Sequence, residues 1–338
     1  MEPAAAGSIR DAFTTDLLSY DPLRMCGGLM GKYIAKRMLH LVGILIALSF
    51  LTFLLMYLAP GDAATKKLNA QGIAVSEEVL EKVRADMGLD RPFLAQYGDW
   101  ALKVLRGDLG ESYKDGMSVS GKIRKALGYT VQLALGSMLI CLLISLPLAI
   151  LTAIKKDSLA DHVIRFFSFI ANSLPNFLIS VLLMYWLCVK ARLLPVVADR
   201  SFKGLLLPSL ALSIPMIGRF LRQFRAEILE QIGKSYVSGA VSRGVKSRYI
   251  LFRNILHNAS ITILTVVGLQ IGTLFGGSVV IETIFRWPGL GKLAMDAITN
   301  RDYPVIQGFV LFTAVVYVLV NLLTDIAYHW IDPRVRPE

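Results

Sequence analysis

Five stretches of this 338-residue chain are long enough to cross a lipid bilayer and contain no Asp, Glu, Lys or Arg. They are Met38–Ala59, which carries His40, and Ala126–Ile154, Phe166–Val189, Asn258–Ile281 and Tyr303–Thr324. Each exceeds the ~18–20 residues that a helix needs to cross the hydrocarbon core. No water is available there to satisfy the backbone, so such segments close their hydrogen bonds within a helix. A sixth candidate, Gly204–Gly218, is uncharged but short, and Pro208 and Pro215 interrupt it. It reaches spanning length by including Phe220 and Leu221, and breaks of this kind are tolerated where neighbouring helices re-satisfy the backbone. The fold expected is an all-α integral membrane protein with six transmembrane helices.

A net charge of +11 invites a nucleic-acid reading, and its distribution argues against one. With the N-terminus cytoplasmic, Lys and Arg divide equally between the two sides. The positive-inside bias acts through short loops, not stretches beyond ~60 residues. Setting aside the outer segment 60–125 leaves 18 basic residues inside against 7 outside. Both termini are therefore expected in the cytoplasm. The chain divides into an N-terminal extension (1–29), a first span (30–59), an extracytoplasmic region (60–125), a membrane core (126–330) containing a cytoplasmic segment 227–257, and a cytoplasmic tail (331–338).

The outer region has helical signals of its own. Ser76 is a good N-cap, Glu77 and Glu78 follow in the first turn, and Gly88 marks a stop. A second helix should start near Pro92 and end at Gly107. Its residues Phe93, Tyr97, Trp100, Ala101, Val104 and Leu105 recur on one face. That face is expected to pack on the outer ends of the spans. The short segment 155–165, "KKDSLADHVIR", reads as a tight inside turn.

Chemistry is sparse. "GMSVSGKI" (Gly116–Ile123) begins like a phosphate-binding loop but has Ile123 where Ser or Thr must hold magnesium. "GLGKL" near Lys292 has Arg286 in place of the first glycine. Neither is a nucleotide site, and no catalytic constellation is visible. Cys26, Cys141 and Cys188 form no C-x-x-C pair, and His40, His162, His257 and His329 are scattered, so neither a disulfide framework nor a metal site is expected. The polar residues inside the spans are neutral: Asn172, Ser173, Gln270 and Asn321, with Glu282 and Asp325 at span ends. A carrier driven by ions would show intramembrane carboxylates. The driving force is expected from outside the bilayer, with no cofactor bound by this chain.

Between two apolar blocks lies "YVSGAVSRGVKSRYILFRNILHNA" (Tyr236–Ala259). On a helix, Tyr236, Gly239, Ala240 and Arg243 share a face, with Gly244 beside them. Gly239 and Gly244 each weaken a helix by ~1 kcal/mol relative to Ala. A helix that gives up this stability is expected to admit close backbone approach, here by a cytoplasmic protein partner. The stretch resembles the "EAA" coupling motif of binding-protein-dependent ABC importer permeases. Gly244 takes the place of the motif's glycine and Ala240 that of its second alanine; Ser238 replaces the glutamate and Gly239 the first alanine, and the closing proline is missing.

"LAPGD" (Leu58–Asp62), "RADMGLDRPFLAQYGDWALKVLRGDLGESY" (Arg84–Tyr113), "SLPNFLIS" (Ser173–Ser180), "FRWPGLGKLAMDAITNRDYPVIQ" (Phe285–Gln307) and "DPRVR" (Asp332–Arg336) look like the first permease subunit of the peptide/nickel subfamily. Within it, "AITNRDYPVIQ" and "RNILHNASI" resemble nickel- and metallophore-importing members. The resemblance implies a type I importer permease in a bacterial inner membrane, paired with a second homologous permease. It also implies two cytoplasmic ATPase subunits docked on the coupling helices, an extracytoplasmic solute-binding protein, and nickel, a metal chelate or a short peptide as cargo. Tyr236, Ser238, Gly239, Ala240, Arg243 and Gly244 are the expected coupling residues. In the fifth span Gly268, Gly272 and Gly276 repeat at four-residue spacing, which suits close helix approach within the subunit or at the permease–permease boundary. These glycines, Gln270 and Asn172 are the candidate path or interface residues. The alternatives are an ion-coupled carrier or channel acting alone, and a membrane enzyme.

Overall fold

A computed structural model of the chain describes residues 22–59, 61, 63–70, 76–195 and 201–331. Among these, regular structure is helical, and an isolated antiparallel β-bridge joins Glu111 to Ser118. Helix α1 (Pro22–Leu58) runs unbroken through residue 30, where the sequence suggested a boundary. Residues 1–21 of the expected extension, and 332–338 of the expected tail with "DPRVR", lie outside the described residues.

Among the described residues, five helices are long and apolar enough to cross a membrane: α1, α5 (Val119–Ile154), α8 (Phe202–Ile232), α10 (Leu256–Gly277) with the π-wound turn before it, and α13 (Tyr303–Ile331). The expected third span is not a straight rod. It is α6 (Leu159–Ser173) followed by α7 (Asn176–Leu183) with its π-wound end Met184–Lys190, and the two halves meet at 105°. The cause is local. Pro175 has no N–H to donate and disfavours helical geometry in the residue before it; Leu174 is extended, at φ −79° and ψ 132°. Counting the bent pair as one span gives six.

The weakest sequence candidate becomes the centre of the fold. α8 continues through Pro208 and Pro215, and 61% of its apolar window is buried within the chain, against 11% for α1. Phe220, Phe224 and Ile228 are fully enclosed and join a core with Leu133, Cys141 and Ala149 of α5. α5 and α6 pack along α8, while α1 leans on α13 at the edge.

The outer region forms α2 (Ala63–Ala70), α3 (Glu77–Asp86) and α4 (Phe93–Leu105). The Ser76 hydroxyl accepts from Val79 N–H as a cap, and Gly88 and Gly107 sit at positive φ after the two helix ends. The aromatic face of α4 packs as expected on span 1: Phe93 and Tyr97 meet Phe50 and Phe53 edge to face, with ring centroids 5.4–5.6 Å apart. Leu105, placed on that face by spacing, is instead 83% exposed, because the helix ends there and turns away.

Two short helices, α11 (Val279–Ile284) and α12 (Leu290–Asn300), precede α13. Their join is a buried carboxylate. Glu282 Oε1 accepts from Thr130 Oγ1 (2.8 Å) and Ser278 Oγ (3.0 Å); Oε2 accepts from the backbone N–H groups of Gly291 (2.6 Å) and Lys292 (3.1 Å). Glu282 thus caps α12 from another helix, in a place where the N-cap Gly289 has no side chain to do so. A Cβ on Gly289 or Gly291 would stand 2.5 Å from the nearest atoms, Glu282 carboxylate atoms at Gly289 and the Val279 Cα at Gly291. This accounts for "GLGKL": the glycines make room for a carboxylate already in place, not for a phosphate.

Candidate coupling site and translocation path

The coupling stretch forms α9 (Ser235–Ser242), joined to α8 by two residues. Val237 and Ala240 are buried against the chain, and Tyr236 is half-buried. The Tyr236 hydroxyl donates to Gln231 Oε1 (3.0 Å), and Gln231 Nε2 donates to Glu227 Oε1 (2.9 Å). Tyr236 therefore ties α9 back to the end of α8, and Ala240 is buried, instead of facing outward with Arg243 as the helical spacing had suggested. The outward face is Ser238, Val241, Ser242 and Arg243, followed by Gly244. The hydroxyls of Ser238 and Ser242 return to the helix's own carbonyls, at Ser235 (2.9 Å) and Ser238 (3.0 Å).

Gly244 is not on the helix. α9 ends at the C-cap Arg243, and Gly244 adopts φ +74°. Val245 N–H reaches Ala240 O (3.2 Å) and Gly244 N–H reaches Val241 O (2.9 Å), the paired bonds of a Schellman stop. Its glycine is accounted for by left-handed backbone, so the helix-weakening argument applies to Gly239 alone. A Cβ at Gly239 would meet Arg243 Nη1 at 3.7 Å, ordinary contact, so nothing within this chain demands a glycine there.

The inside turn 155–165 holds a node that sequence reading missed. Asp161 is fully buried at the start of α6. Arg225 of α8 grips it with two bonds, Nε to Oδ1 (3.0 Å) and Nη2 to Oδ2 (2.8 Å), and Arg165 adds a third contact at 3.3 Å. The partners stand 64 residues apart, and a local pattern carries no sign of the pairing.

The candidate path residues separate into two places. Asn172 lies where α6 crosses α8. A Cβ on Gly218 would be 2.5 Å from Ser168 O and 3.0 Å from Asn172 N, and Ser168 Oγ donates to Gly218 O (2.9 Å). Gln270 stands apart on α10, where its Oε1 accepts from Arg219 Nη1 of α8 (3.3 Å). Gly268 is half-buried on α10; the surroundings of Gly272 and Gly276 lie outside the described residues.

Asp302 is buried between α12 and α13. It accepts from the hydroxyl of Ser112 and from Tyr113 N–H (2.9 Å), and Lys122 Nζ reaches both Ser112 Oγ (2.8 Å) and Asp115 (2.7 Å). Burial pushes the Tyr113 phenol up to about 12, helped by Asp302 and Tyr303. Partial burial alone would raise the Asp115 carboxyl, but the Lys122 hydrogen bond outweighs it and holds the group below its usual range. Lys122 of "GMSVSGKI" is thus committed to a latch between the outer region and the core. Beside the latch a cleft of about 1050 Å³ opens between α4, α1 and α13, lined by Phe53, Tyr57, Lys67, Trp100 and Gln307 among others. Among the described residues no group of three or more His, Cys, Asp or Glu is placed to hold a metal.

Comparison with known proteins agrees with this architecture. Residues 145–337 match the family described as "Binding-protein-dependent transport system inner membrane component", and residues 30–134 match its N-terminal counterpart. The chain is 35% identical over 315 residues to the probable peptide ABC transporter permease protein y4tP of Sinorhizobium fredii, covering 91% of this chain and all of that one. It is 34% identical over 308 residues to the metal-staphylopine import system permease protein CntB of Staphylococcus aureus, covering 91% and 99%. A similar match, 34% over 307 residues with 91% and 99% covered, is found with the glutathione transport system permease protein GsiC of Salmonella typhi. In fold, a chain of the inward-facing MetNI methionine ABC transporter superposes with a TM-score of 0.51 at 14% identity, covering 62% of this chain and 96% of that one. The chain belongs to the family of binding-protein-dependent transport system inner membrane components, the permease subunits of ABC importers.

Proposed function

We propose that this permease forms half of a translocation path for short peptides or for metal chelates of similar size, paired with a second homologous permease. Two cytoplasmic ATPase subunits dock at α9, and an extracytoplasmic binding protein delivers the solute. The observation that carries the reading is the construction of α9. It is hydrogen-bonded to the end of α8 through Tyr236, Gln231 and Glu227, while Ser238, Val241 and Arg243 remain exposed. A partner that pushes on the exposed face moves α8, and α8 carries Arg225 and the Asp161 node of α6 with it. Exposed Tyr249 and Phe252, 53% and 63% accessible, extend the docking surface beyond α9.

The relatives named for peptides, glutathione and metal-staphylopine support this choice of cargo. A bare cation would need converging ligands along the path; a chelate or peptide needs a roomy, weakly polar one. In this arrangement the segment 60–125 is outside and the coupling segment 227–257 inside. Purification of the complex tests the proposal. An ATPase should accompany the chain, and its hydrolysis should rise when loaded binding protein is added. A chain that transports solute in vesicles with no ATPase present would overturn the reading. Single cysteines at Gly72 and Lys246 test orientation, with only the first expected to label in intact cells.

A further inference from the structure

In the sequence Arg219 stands one residue beyond the uncharged run Gly204–Gly218, on the side of the cytoplasmic segment. The structure places it deeper. α8 does not end near residue 218 but continues to Ile232, so Arg219 lies thirteen residues, or ~20 Å, from its inner end. Its guanidinium meets Gln270. Gln270 lies close to the middle of the uncharged run between Arg253 and Glu282, ~18 Å along the helix from Asn258. A permanent cation therefore sits within the membrane layer, and its side chain is exposed on the surface of this chain.

Hydrocarbon does not tolerate that placement. Charged side chains at such depth face a water-filled cavity or the interior of a bundle, and they mark solute pathways. The Gln270 amide oxygen is a neutral acceptor and leaves the charge uncompensated, and no acidic side chain pairs with Arg219 among the described residues. A second feature points the same way. Arg219, Arg222, Gln223, Ala226 and Glu230 are all exposed and recur at i, i+3, i+4, i+7 and i+11, one face of α8. This strip has no long apolar side chain and leads from Arg219 toward the cytoplasmic end of the helix. The Glu230 carboxylate is taken by Lys234 at 3.1 Å, so the strip's upper end stays cationic. Elsewhere the surface of α10 is apolar: Leu264 and Leu269 are each more than half exposed.

We infer that Arg219, oriented by Gln270, lines the translocation path and presents a fixed cation to the carboxylate of a passing solute. The inference rests on the importer reading above and adds the chemistry of the contact. A guanidinium pairs with a carboxylate through two parallel N–H bonds, a geometry that Lys cannot reproduce. Carboxylate-bearing solutes such as peptides with a free C-terminus, or chelates built on amino-acid carboxylates, fit this group. A bare divalent cation does not, since Arg219 would repel it.

The test reads the local field and needs no knowledge of the natural solute. Gln270→Cys is placed in a chain carrying Cys26→Ser, Cys141→Ala and Cys188→Ala, and the complex with its partner subunits is purified in detergent. The thiol is reacted with a sulfonatoethyl and a trimethylammonioethyl methanethiosulfonate. Any change in thiolate fraction acts on both reagents alike, so the ratio of their rates isolates the charge near residue 270. The anionic reagent should react roughly tenfold faster, as expected for a cation in a narrow aqueous cleft. Adding Arg219→Gln should bring the ratio to about one, and Arg219→Lys should retain most of it. Equal rates with Arg219 present overturn the inference. So does a cysteine that reacts in the isolated chain but not in the complex, because Arg219 would then be covered by the second permease. An equal-rate result with an ATPase still bound counts against this inference alone; absence of an ATPase from the complex counts against the importer reading.

Discussion

Gly239→Leu separates docking from folding at α9. In the helix interior leucine is favoured over glycine by about 0.6–1 kcal/mol. A Cβ at this position meets only Arg243 Nη1, at 3.7 Å, and that side chain is exposed and able to move. The Cβ therefore meets no obstacle within this chain, and the substitution favours the helix. Its harm comes from the partner, if the partner's surface approaches the backbone there. Overpacking a fitted contact costs about 1–3 kcal/mol, which corresponds to roughly 5- to 150-fold weaker ATPase docking. Gly239→Ala should lie near the lower end. The assay is ATPase retained on the purified permease as its concentration is lowered, with hydrolysis stimulated by loaded binding protein measured alongside. Native affinity in Gly239→Leu, with normal membrane insertion, refutes the claim that Gly239 lies under the docked subunit. Gly244 cannot serve for this test by leucine substitution, since any β-branched or bulky residue at φ +74° is strained. Gly244→Asn, which tolerates that backbone, is the usable variant, and it should keep the Schellman stop.

Three further outcomes are expected. Asp161→Asn leaves the half-buried Arg225 without its carboxylate and should lower stability by about 3 kcal/mol, read as earlier thermal unfolding of the complex, with Arg225→Lys intermediate because it cannot bond twice. Glu282→Gln should cost only about 1 kcal/mol, because the Thr130 and Ser278 hydroxyls can rotate to receive the new amide donors, whereas Glu282→Ala orphans two buried N–H groups and should cost several times that. The Asp115–Lys122 contact contributes above the ordinary carboxylate pKa of 3.8 and is lost as pH falls below it through the depressed folded value; amide exchange in residues 110–118, corrected for intrinsic rate, should accelerate below about pH 4, and Asp115→Asn should abolish that dependence.

The parts of the fold written in local pattern were readable in the sequence. Uncharged runs marked α1, α5, α10 and α13, and the cap at Ser76 with the stops at Gly88 and Gly107 marked the outer helices. The 105° bend was present in "SLPN", where Pro175 forces Leu174 out of helical geometry, but an uncharged run of spanning length hid it. Reading α8 as broken by Pro208 and Pro215 weighed two lost backbone bonds without the dense packing that offsets them. The site was less legible because its key contacts join distant residues. Asp161 meets Arg225 across 64 positions, Thr130 meets Glu282 across 152, and Ser112 meets Asp302 across 190. Three motifs seen as family signatures, "LAPGD", "GDLGESY" and "NRDYPVIQ", converge at the outer end of α13, where Arg301 closes over Gly61 and Asp302 holds Ser112. Spacing could place Tyr236 and Ala240 on one face of α9, but could not tell that this face turns inward.

Under the proposed docking at α9, these contacts make α8 the member through which force would pass. Its inner end is joined to α9 by Gly233 and Lys234 alone, and Tyr236 bonds back across that joint, so α9 cannot swing far without carrying α8. Midway along, the bidentate Arg225–Asp161 contact and the glycine-wide crossing at Gly218 fix α8 to α6. A close-packed contact of this kind moves as a unit or rearranges in a discrete step, because dense interiors deform little. Displacement of α9 by a docked ATPase should then reappear as displacement of α8 and α6 together, with Arg219 moving on the same rod. α1 and the outer helices touch this assembly at its edge and through the Asp302 latch. In the proposed orientation they would hold the outer mouth still while the α8 bundle turns, which is the division a path with alternating access requires.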